Sequence, residues 1–321
     1  MQLVGKKEQK THRIAGSRII GPRIAGPRGR FGVALAALLV AALGTACSSE
    51  TGREPGKPEK PKAGSEAGAA GAPVNTAAQR KQKELARLAA VKRWGLAKPP
   101  LLAPAAPKEK PEIETRDGFE VDDHEGLPPV FTTIPTEEKI VFLTVDDGAE
   151  KDPQFLKMMK ELDLPYTAFL SDYLVRDNYP YFKQMQAAGV TLNNHTLNHR
   201  YMPALPYEKQ RQEICGQQET LQKEFGKRPT VFRPPYGNYN EDTLRAAKSC
   251  GIKHVPLWNA EVFPDKMDYR EWDRDIHPGD IILTHFRGRE DWKGTMPDMI
   301  RQVMKTVTDK GYAVARLEDY L

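Results

Sequence analysis

The chain has 321 residues, of which 39% are hydrophobic and 28% charged, and its formal net charge is +5 at pH 7. Residues 1–30 contain eight Lys and Arg residues and one Glu, so the rest of the chain carries a net charge of −2. Because the chain beyond residue 30 is not basic, it has no electrostatic attraction for nucleic acid, and we predict that nucleic acid is not a partner.

The basic N-terminus is followed by an apolar run at 31–43, FGVALAALLVAAL. The run suits a secretory signal peptide and is short for a membrane span. Residues 43–47 read LGTAC, and small residues before a cysteine resemble the cleavage site of bacterial lipoproteins. We predict a lipoprotein-type signal peptide at 1–46, a lipid on Cys47, and an exported protein anchored to the outer face of the bacterial cell membrane. The alternative is an ordinary signal peptide with an incidental cysteine.

Residues 47–127 are rich in Ala, Pro and Lys and poor in large apolar side chains, which predicts a flexible tether. Within it, 75–94 could form one helix, because Leu85, Leu88, Val91 and Trp94 recur every three residues. A solvated helix or spacer and a partner-binding helix are both compatible with this pattern.

From residue 128 to 321, short runs of β-forming residues alternate with helix-length amphipathic segments. The predicted strands are Ile140–Thr144, Tyr166–Leu170, Val190–Asn193, Thr230–Arg233, His254–Leu257, Asp280–Thr284 and Ala313–Arg316. The predicted helices are Pro153–Leu162, Tyr179–Ala188, Tyr207–Phe225, Glu241–Cys250 and Met296–Lys310. This alternation predicts an α/β domain with about seven parallel strands. Seven strands suggest a distorted (β/α) barrel, although the pattern alone does not separate it from an open sheet.

Polar residues cluster just past the ends of these strands, where barrels build their active sites. They are Asp146, Asp147, His195, His199, Arg233, Trp258 and His285. On a helical turn, the spacing of His195 and His199 would put both imidazoles on one face, within reach of one ion. One carboxylate of the Asp146-Asp147 pair could complete a three-ligand site. A solvated turn and an ordinary Asp-Gly turn are the structural alternatives.

Four motifs in order resemble the polysaccharide deacetylase (NodB-homology) family, which is carbohydrate esterase family four. They are Thr144-Val145-Asp146-Asp147-Gly148, His195-Thr196-Leu197-Asn198-His199, Arg233-Pro234-Pro235-Tyr236-Gly237 and Leu283-Thr284-His285. The resemblance covers residues 128–321 and implies a distorted (β/α) barrel.

The resemblance also implies a role for each matching residue. Asp147, His195 and His199 would hold Zn²⁺ or a similar ion such as Co²⁺. Asp146 would be the general base, and Arg233 would orient it. Through its backbone N–H, Tyr236 would help stabilise the oxyanion. The general acid would be His285, Leu283 would pack against the acetyl methyl group, and Trp258 is expected at the substrate.

One motif departs from the family, which places an Asp after the fifth strand to orient the acid histidine. Pro264 occupies that position here. Glu261 and Asp265 are the nearest carboxylates, and we favour Asp265 because it is one residue from the family position. The alternative is that neither contacts His285, with water or backbone orienting the imidazole.

With Cys47 assigned to lipid, Cys215 and Cys250 remain on consecutive predicted helices. In an exported protein we predict that they form a disulfide, and two buried free thiols are the alternative.

Together these features predict a monomeric, metal-dependent enzyme that deacetylates an N-acetylated glycan, peptidoglycan or chitin-like, at the cell envelope. The alternatives are an O-acetyl esterase acting on an acetylated polysaccharide and a catalytically silent glycan-binding lipoprotein.

Overall fold

A computed structural model describes residues 77–123 and 125–321. The predicted signal peptide and Cys47 lie outside these residues. Within the described part of the chain, no helix is both long and apolar enough to cross a membrane.

Seven α-helices, four short 3₁₀ helices and nine strands make up the described chain. The helices are α1 (Ala77–Arg93), α2 (Pro153–Leu162), α3 (Asp172–Val175), α4 (Tyr179–Ala187), α5 (Tyr207–Phe225), α6 (Glu241–Ser249) and α7 (Met296–Asp309). The strands are β1 (Val130–Phe131), β2 (Ile140–Asp147), β3 (Thr167–Leu170), β4 (Thr191–Asn194), β5 (Val255–Pro256), β6 (Ala260–Val262), β7 (Met267–Tyr269), β8 (Ile281–His285) and β9 (Ala313–Ala315).

Strand β2 is the centre of the sheet. All eight of its residues are buried, which its near-continuous apolar sequence explains. It pairs in parallel with β3, β8 and β9. Strand β4 continues the sheet beyond β3, and β6 continues it beyond β8. The carboxyl ends of β2, β4 and β8 therefore lie along one edge.

Short contacts close this sheet into a ring. Single bridges join Asn194 of β4 to Phe232, and Val231 to His254. Strand β5 pairs with β1, and the N–H of Ile281 in β8 donates to the carbonyl of Thr132 just after β1. The structure thus confirms an α/β fold with parallel strands arranged as a distorted barrel.

The predicted strand Thr230–Arg233 is wrong as a regular strand, because only Val231 and Phe232 form isolated bridges. Pro229 and Pro234 flank this segment and cannot donate backbone hydrogen bonds, which limits its pairing. Strands β1, β6 and β7 were not expected, and β6 and β7 form an antiparallel hairpin at the edge of the sheet.

The helices pack around the sheet, and their ends follow the sequence closely. Asp152 caps α2 by accepting from the N–H of Gln154, and Pro153 opens the helix. Helices α5 and α6 pack side by side, and Cys215 and Cys250 form a disulfide between α5 and the end of α6. The predicted pairing is therefore confirmed.

The segment before the barrel corrects the tether prediction for residues 77–127. Helix α1 packs on α2 and buries Ala90 and Val91 in the main core. The indole N–H of Trp94 donates to the carboxylate of Glu161 at 2.7 Å. Further along, Arg116 donates to Glu271 at 2.6 Å. Few large apolar side chains are present, but Val91 and Trp94 lie against the domain.

Candidate active site

The end of β2 places two buried carboxylates beside each other. Asp146 and Asp147 are 2% and 1% exposed. They lie within the strand rather than after it, and Asp147 has a positive φ of 81°. In register, Asp146 lies opposite His285 of β8, while Asp147 lies opposite Leu170 of β3. Both carboxylates reach the imidazole that follows β4, since Nε2 of His195 lies 3.8 Å from Oδ2 of Asp146 and 3.5 Å from Oδ1 of Asp147.

His195 and His199 follow β4 on a loop, not on the helical turn that their spacing suggested. Thr196 and His199 have positive φ angles of 70° and 50°, which a helix does not allow. The side chain of Asn194 accepts from the N–H of Thr196 at 2.9 Å, and the Thr196 hydroxyl accepts from the N–H of His199 at 3.0 Å. These local hydrogen bonds fold the loop so that the two imidazoles are 4.9 Å apart.

Together, Asp147, His195 and His199 have the geometry of a metal site. One ligand atom from each lies within 4.8 Å of the other two. The Nδ1 of His195 donates to the carbonyl oxygen of Arg233 at 2.7 Å, so its Nε2 is free to bind an ion. Oδ1 of Asp147 is buried and lies 3.2 Å from Nε2 of His199 and 3.5 Å from Nε2 of His195. Two imidazoles and one carboxylate are a ligand set that Zn²⁺ accepts, so the residues fit the predicted ion.

Burial and neighbouring groups shift the pKa values of Asp147 and His195 in this cluster. Burial raises the pKa of Asp147, but hydrogen bonds from His195 and His199 outweigh it, so the pKa lies well below its usual value. For His195, burial lowers the pKa, while the charge of Asp146 and the contact with Asp147 raise it, with a net rise. Asp147 is therefore held as a carboxylate, the form that binds a metal.

Arg233 is fully buried and lies against Asp146. Its Nη1 donates to Oδ1 of Asp146 and to the hydroxyl of Thr144, both at 2.8 Å. Its other nitrogens donate to the carbonyl oxygens of Pro256 (2.8 Å) and Leu257 (3.0 Å). The guanidinium is thus held in one orientation with its charge paired, and it fixes the Asp146 carboxylate.

His285 ends β8, and the structure corrects its expected partner. Nδ1 of His285 lies 3.4 Å from Oε1 of Glu261, whereas Asp265 makes no contact with it in the described structure. Glu261 is in β6, in register with Leu283 of β8, so strand pairing carries its side chain towards the end of β8. Asp265 lies beyond Pro264, outside β6, and that pairing does not reach it.

The pKa values of both Glu261 and His285 differ from their usual values. Burial, together with the charges of Asp146 and Asp268, raises the pKa of Glu261 to about 7. Burial lowers the pKa of His285, against the opposite effects of Asp147 and Asp146. The ring of Trp292 packs edge-on against His285, with the ring centroids 6.1 Å apart. A carboxyl group with a raised pKa and an imidazole with a lowered pKa therefore face the same opening.

The remaining predicted residues lie around this opening. Tyr236 is 60% exposed, has a positive φ of 63°, and packs its ring 4.7 Å from that of His199. Leu283 is buried in β8. Trp258 lies over the guanidinium of Arg270 at 4.3 Å, and its contact with substrate stays a prediction. Of the six non-glycine residues with positive φ in the described ranges, four are at this site: Asp147, Thr196, His199 and Tyr236.

Sequence reasoning missed one contact to the metal cluster. Nη2 of Arg287 donates to Oδ2 of Asp147 at 2.6 Å, and Nη1 lies 3.6 Å from Oδ2 of Asp291. Asp147 thus has Oδ2 bound by Arg287, while Oδ1 faces the imidazoles of His195 and His199. The position of Arg287, two residues past His285, is the only signal in the sequence, and it does not give the direction of the side chain.

Fold and site together define a (β/α)-barrel protein with a candidate metal centre and a His285–Glu261 pair at the carboxyl ends of its strands. The chain belongs to the polysaccharide deacetylase family, whose model matches residues 133–255. An uncharacterized protein of Streptomyces coelicolor is 38% identical over 218 residues, which cover 68% of this chain and 87% of that protein.

Several relatives carry functional names. A peptidoglycan-N-acetylglucosamine deacetylase of Bacillus cereus is 27% identical over 59% of this chain and 91% of its own length. A peptidoglycan-N-acetylmuramic acid deacetylase of Bacillus subtilis is 26% identical over 58% of this chain and 73% of its own. A solved peptidoglycan N-acetylglucosamine deacetylase has the same fold, with a TM-score of 0.53 at 22% identity over 60% of this chain and 92% of that chain.

Proposed function

We propose that the protein is a metal-dependent hydrolase that removes acetyl groups from an N-acetylated glycan of the bacterial cell envelope. The observation that carries this proposal is the buried Asp146–Arg233 pair beside the Asp147, His195 and His199 cluster. Membership of the polysaccharide deacetylase family and the names of the two Bacillus relatives support the same chemistry.

Amide hydrolysis needs a nucleophile, a stabilised oxyanion and a proton for the departing amine. A divalent ion held by Asp147, His195 and His199 would polarise the acetyl carbonyl and lower the pKa of water. Asp146 then removes a proton from the attacking water, since Arg233 holds its carboxylate in place. His285, across the β2–β8 pair, delivers a proton to the leaving nitrogen.

Other residues complete the proposed site. The backbone N–H of Tyr236 contributes to oxyanion stabilisation, and Leu283 packs near the acetyl methyl group. Glu261 holds the imidazole of His285 through Nδ1, which directs Nε2 towards the substrate. Zn²⁺ is the ion that we propose, and Co²⁺ is a ligand-compatible substitute.

The test is acetate release from three substrates: N-acetylated chitooligosaccharide, peptidoglycan and acetylated xylan. We expect release from at least one of the first two, and an Asp146→Asn variant to be slower by about 10²–10⁴-fold. Release from acetylated xylan alone would instead identify an O-acetyl esterase. Equal rates for wild type and Asp146→Asn would contradict the proposed base.

We also propose that the protein is exported and anchored by a lipid on Cys47. The support is sequence alone: the apolar run at 31–43 and the small residues before Cys47. Mass spectrometry of the mature N-terminus should show an acylated cysteine, and Cys47→Ser should release the protein into the medium. An unmodified N-terminus elsewhere would contradict the anchor.

A further inference from the structure

Arg116 lies in the segment before the barrel, and hydrogen bonds fix it beside β1. Its backbone N–H donates to the carbonyl oxygen of Val130 in β1 at 2.9 Å, and the N–H of Val130 donates to the hydroxyl of Thr115 at 3.2 Å. Nη1 of Arg116 also donates to the hydroxyl of Thr132, just past β1, at 2.6 Å. Both the backbone and the guanidinium of Arg116 are therefore held against the barrel.

The same guanidinium joins the two ends of the β6–β7 hairpin. Nη1 donates to Oδ1 of Asn259, which directly precedes β6, at 3.2 Å. Nη2 donates to Oε1 of Glu271, two residues past the end of β7, at 2.6 Å. The side chains of Arg116 and Glu271 are 35% and 28% exposed, so solvent screens this ion pair only in part. Arg116 thus closes the open end of the hairpin.

Asn259 connects this contact to the interior of the barrel, and it is only 4% exposed. Its backbone N–H donates to the carbonyl oxygen of Ile281 in β8, and its carbonyl oxygen accepts from the N–H of Arg270, both at 2.9 Å. Its Nδ2 donates to Oδ1 of the fully buried Asp280 at 2.9 Å. Arg116 supplies the donor to its Oδ1. Because a buried amide oxygen that loses its donor is unfavourable, the start of β6 depends on Arg116.

Glu261 lies two residues beyond Asn259, on the strand that this contact holds. Strand β6 pairs with β8 at two positions, the second of which is Glu261 opposite Leu283. The 3.4 Å contact between Oε1 of Glu261 and Nδ1 of His285 therefore depends on a short pairing. A displacement of about 1 Å at the start of β6 would break this contact, since it is already near the upper limit for a hydrogen bond.

We propose that Arg116 is a positioning residue for the proposed reaction, acting through the β6–β7 hairpin on Glu261. By holding both ends of the hairpin, it keeps the Glu261 carboxylate against the imidazole of His285. This inference rests on the proposed deacetylase function and adds a residue that lies before the part of the chain matched by the family model, 133–255. The segment before the barrel is then part of the functional unit rather than a spacer.

The experiment measures kcat and KM of Arg116→Gln in the zinc-loaded full chain. Its substrate is N-acetylated chitooligosaccharide or peptidoglycan, whichever the wild type deacetylates faster. We expect kcat to fall about tenfold and KM to stay unchanged, because a misplaced proton donor weakens the transition state rather than substrate binding. In a Glu261→Gln background, Arg116→Gln should have almost no further effect, since the carboxylate that it positions is gone. Zinc affinity should equal that of the wild type.

Arg93→Gln is the matched control. Arg93 also precedes the barrel, and it donates to the carboxylate of Glu161 in α2 at 2.7 Å, so the variant removes an ion pair of the same kind away from the hairpin. It should change neither constant. If Arg116→Gln does not fold, Glu271→Gln weakens the same contact from its partly exposed end and should lower kcat about threefold, again only when Glu261 is present. An unchanged kcat in the folded variant, or an equal loss with and without Glu261, would overturn the positioning role.

Imidazole ¹⁵N resonances of His285 separate this inference from the function itself, because they report the contact of Nδ1 with Glu261 without any turnover. A His285→Gln variant assigns them. Arg116→Gln should shift them in the same direction as Glu261→Gln, and Arg93→Gln should not. If no substrate releases acetate, the deacetylase proposal fails, yet this shift would still support the positioning role. If acetate is released but Arg116→Gln changes neither kcat nor the resonances, the function stands and the positioning role is wrong.

Discussion

The metal cluster and the acid–base pair meet at one opening, but the structure holds them in different ways. Asp147 and His195 are almost fully buried, and backbone and side-chain hydrogen bonds from Asn194, Thr196 and Arg233 fix the histidine loop. His285 and Glu261 are each about a quarter exposed and are related by one contact of 3.4 Å. The metal cluster is therefore rigid before any ligand binds, whereas the acid–base pair depends on the alignment of two strands.

This difference follows from the origin of the supporting contacts. Helix α5 backs the metal loop, because Asn194 donates to the carbonyl of Ile214 at 2.9 Å and Gln217 donates to that of Leu170 at 2.7 Å. Glu261, in contrast, is positioned by the short β6–β8 pairing. The half of the site that contains the metal cluster is thus preorganised, and the half that contains His285 and Glu261 is adjustable. Variants in the two halves should differ accordingly.

The largest expected effect is loss of the metal. Chelation should reduce activity to background, and Zn²⁺ or Co²⁺ should restore it, because the attacking water and the carbonyl lose their activation. His195→Ala should bind Zn²⁺ far more weakly in a competition with a chromogenic chelator. The matched control is His277→Ala, an exposed histidine paired with Asp273 on another loop. Full activity of the chelated wild type would exclude the proposed mechanism.

The next effect concerns the buried pair of Arg233 and Asp146, the proposed base. Arg233→Met should lower the free energy of unfolding by about 3–5 kcal/mol, because it leaves the Asp146 carboxylate buried without its partner. Arg233→Met combined with Asp146→Asn should recover part of this loss, since the unpaired charge is then gone. Denaturant titrations measure both variants. Additive losses in the double variant would show that the pair is not coupled.

A smaller effect concerns the disulfide behind the metal cluster. Cys215 and Cys250 are 35 residues apart in sequence and join α5 to the end of α6. Replacing both with serine should lower the free energy of unfolding by about 2–4 kcal/mol, chiefly because the unfolded chain loses a constraint. Titration of the unreduced wild type with a thiol reagent should find neither thiol free. Two reactive thiols would contradict the bridge.

The sequence predicted the metal cluster better than the acid–base pair, for a physical reason. His195 and His199 are close in sequence, so even the incorrect prediction of a helical turn placed their imidazoles close enough together to bind one ion. The partner of His285 depends on the register of β6 against β8, which no local pattern records. Counting positions from Trp258 therefore favoured Asp265, although the pairing of β6 with β8 places Glu261 beside His285.

The fold, too, was predicted where the signal is local in sequence and missed where it depends on distant contacts. Helices α2 and α5 were predicted with their observed ends: Pro153 opens α2, and Pro206 and Gly226 flank α5. The contacts that pack residues 77–127 on the barrel were missed. Composition describes how much apolar surface a segment has, but it does not show where Val91 or Trp94 will find a partner.

The last prediction tests the adjustable half of the site directly. Glu261→Gln should lower kcat by about 10–100-fold, while Asp265→Asn should leave it unchanged. Losing the carboxylate removes an interaction that favours the charged imidazole, so the pKa of His285 should fall. The limb of the pH–rate profile where activity declines with rising pH should then move to lower pH. Since the two groups lie 3.4 Å apart, the wild-type limbs belong to the pair rather than to either residue.

Stability should respond to the same substitution in a way that depends on pH. In the metal-free protein, burial raises the pKa of Glu261 from its ordinary value of 4.5 to about 7, so the folded state favours the protonated carboxyl group. Its contribution to stability is fully present below about pH 4.5 and is lost as the pH rises through 7. Glu261→Gln, which stays neutral, should therefore gain in Tm relative to the wild type between pH 5 and pH 8, with chelator present throughout. If the difference in Tm between the two proteins is the same at pH 5 and pH 8, the pKa of Glu261 is not raised by burial beside His285.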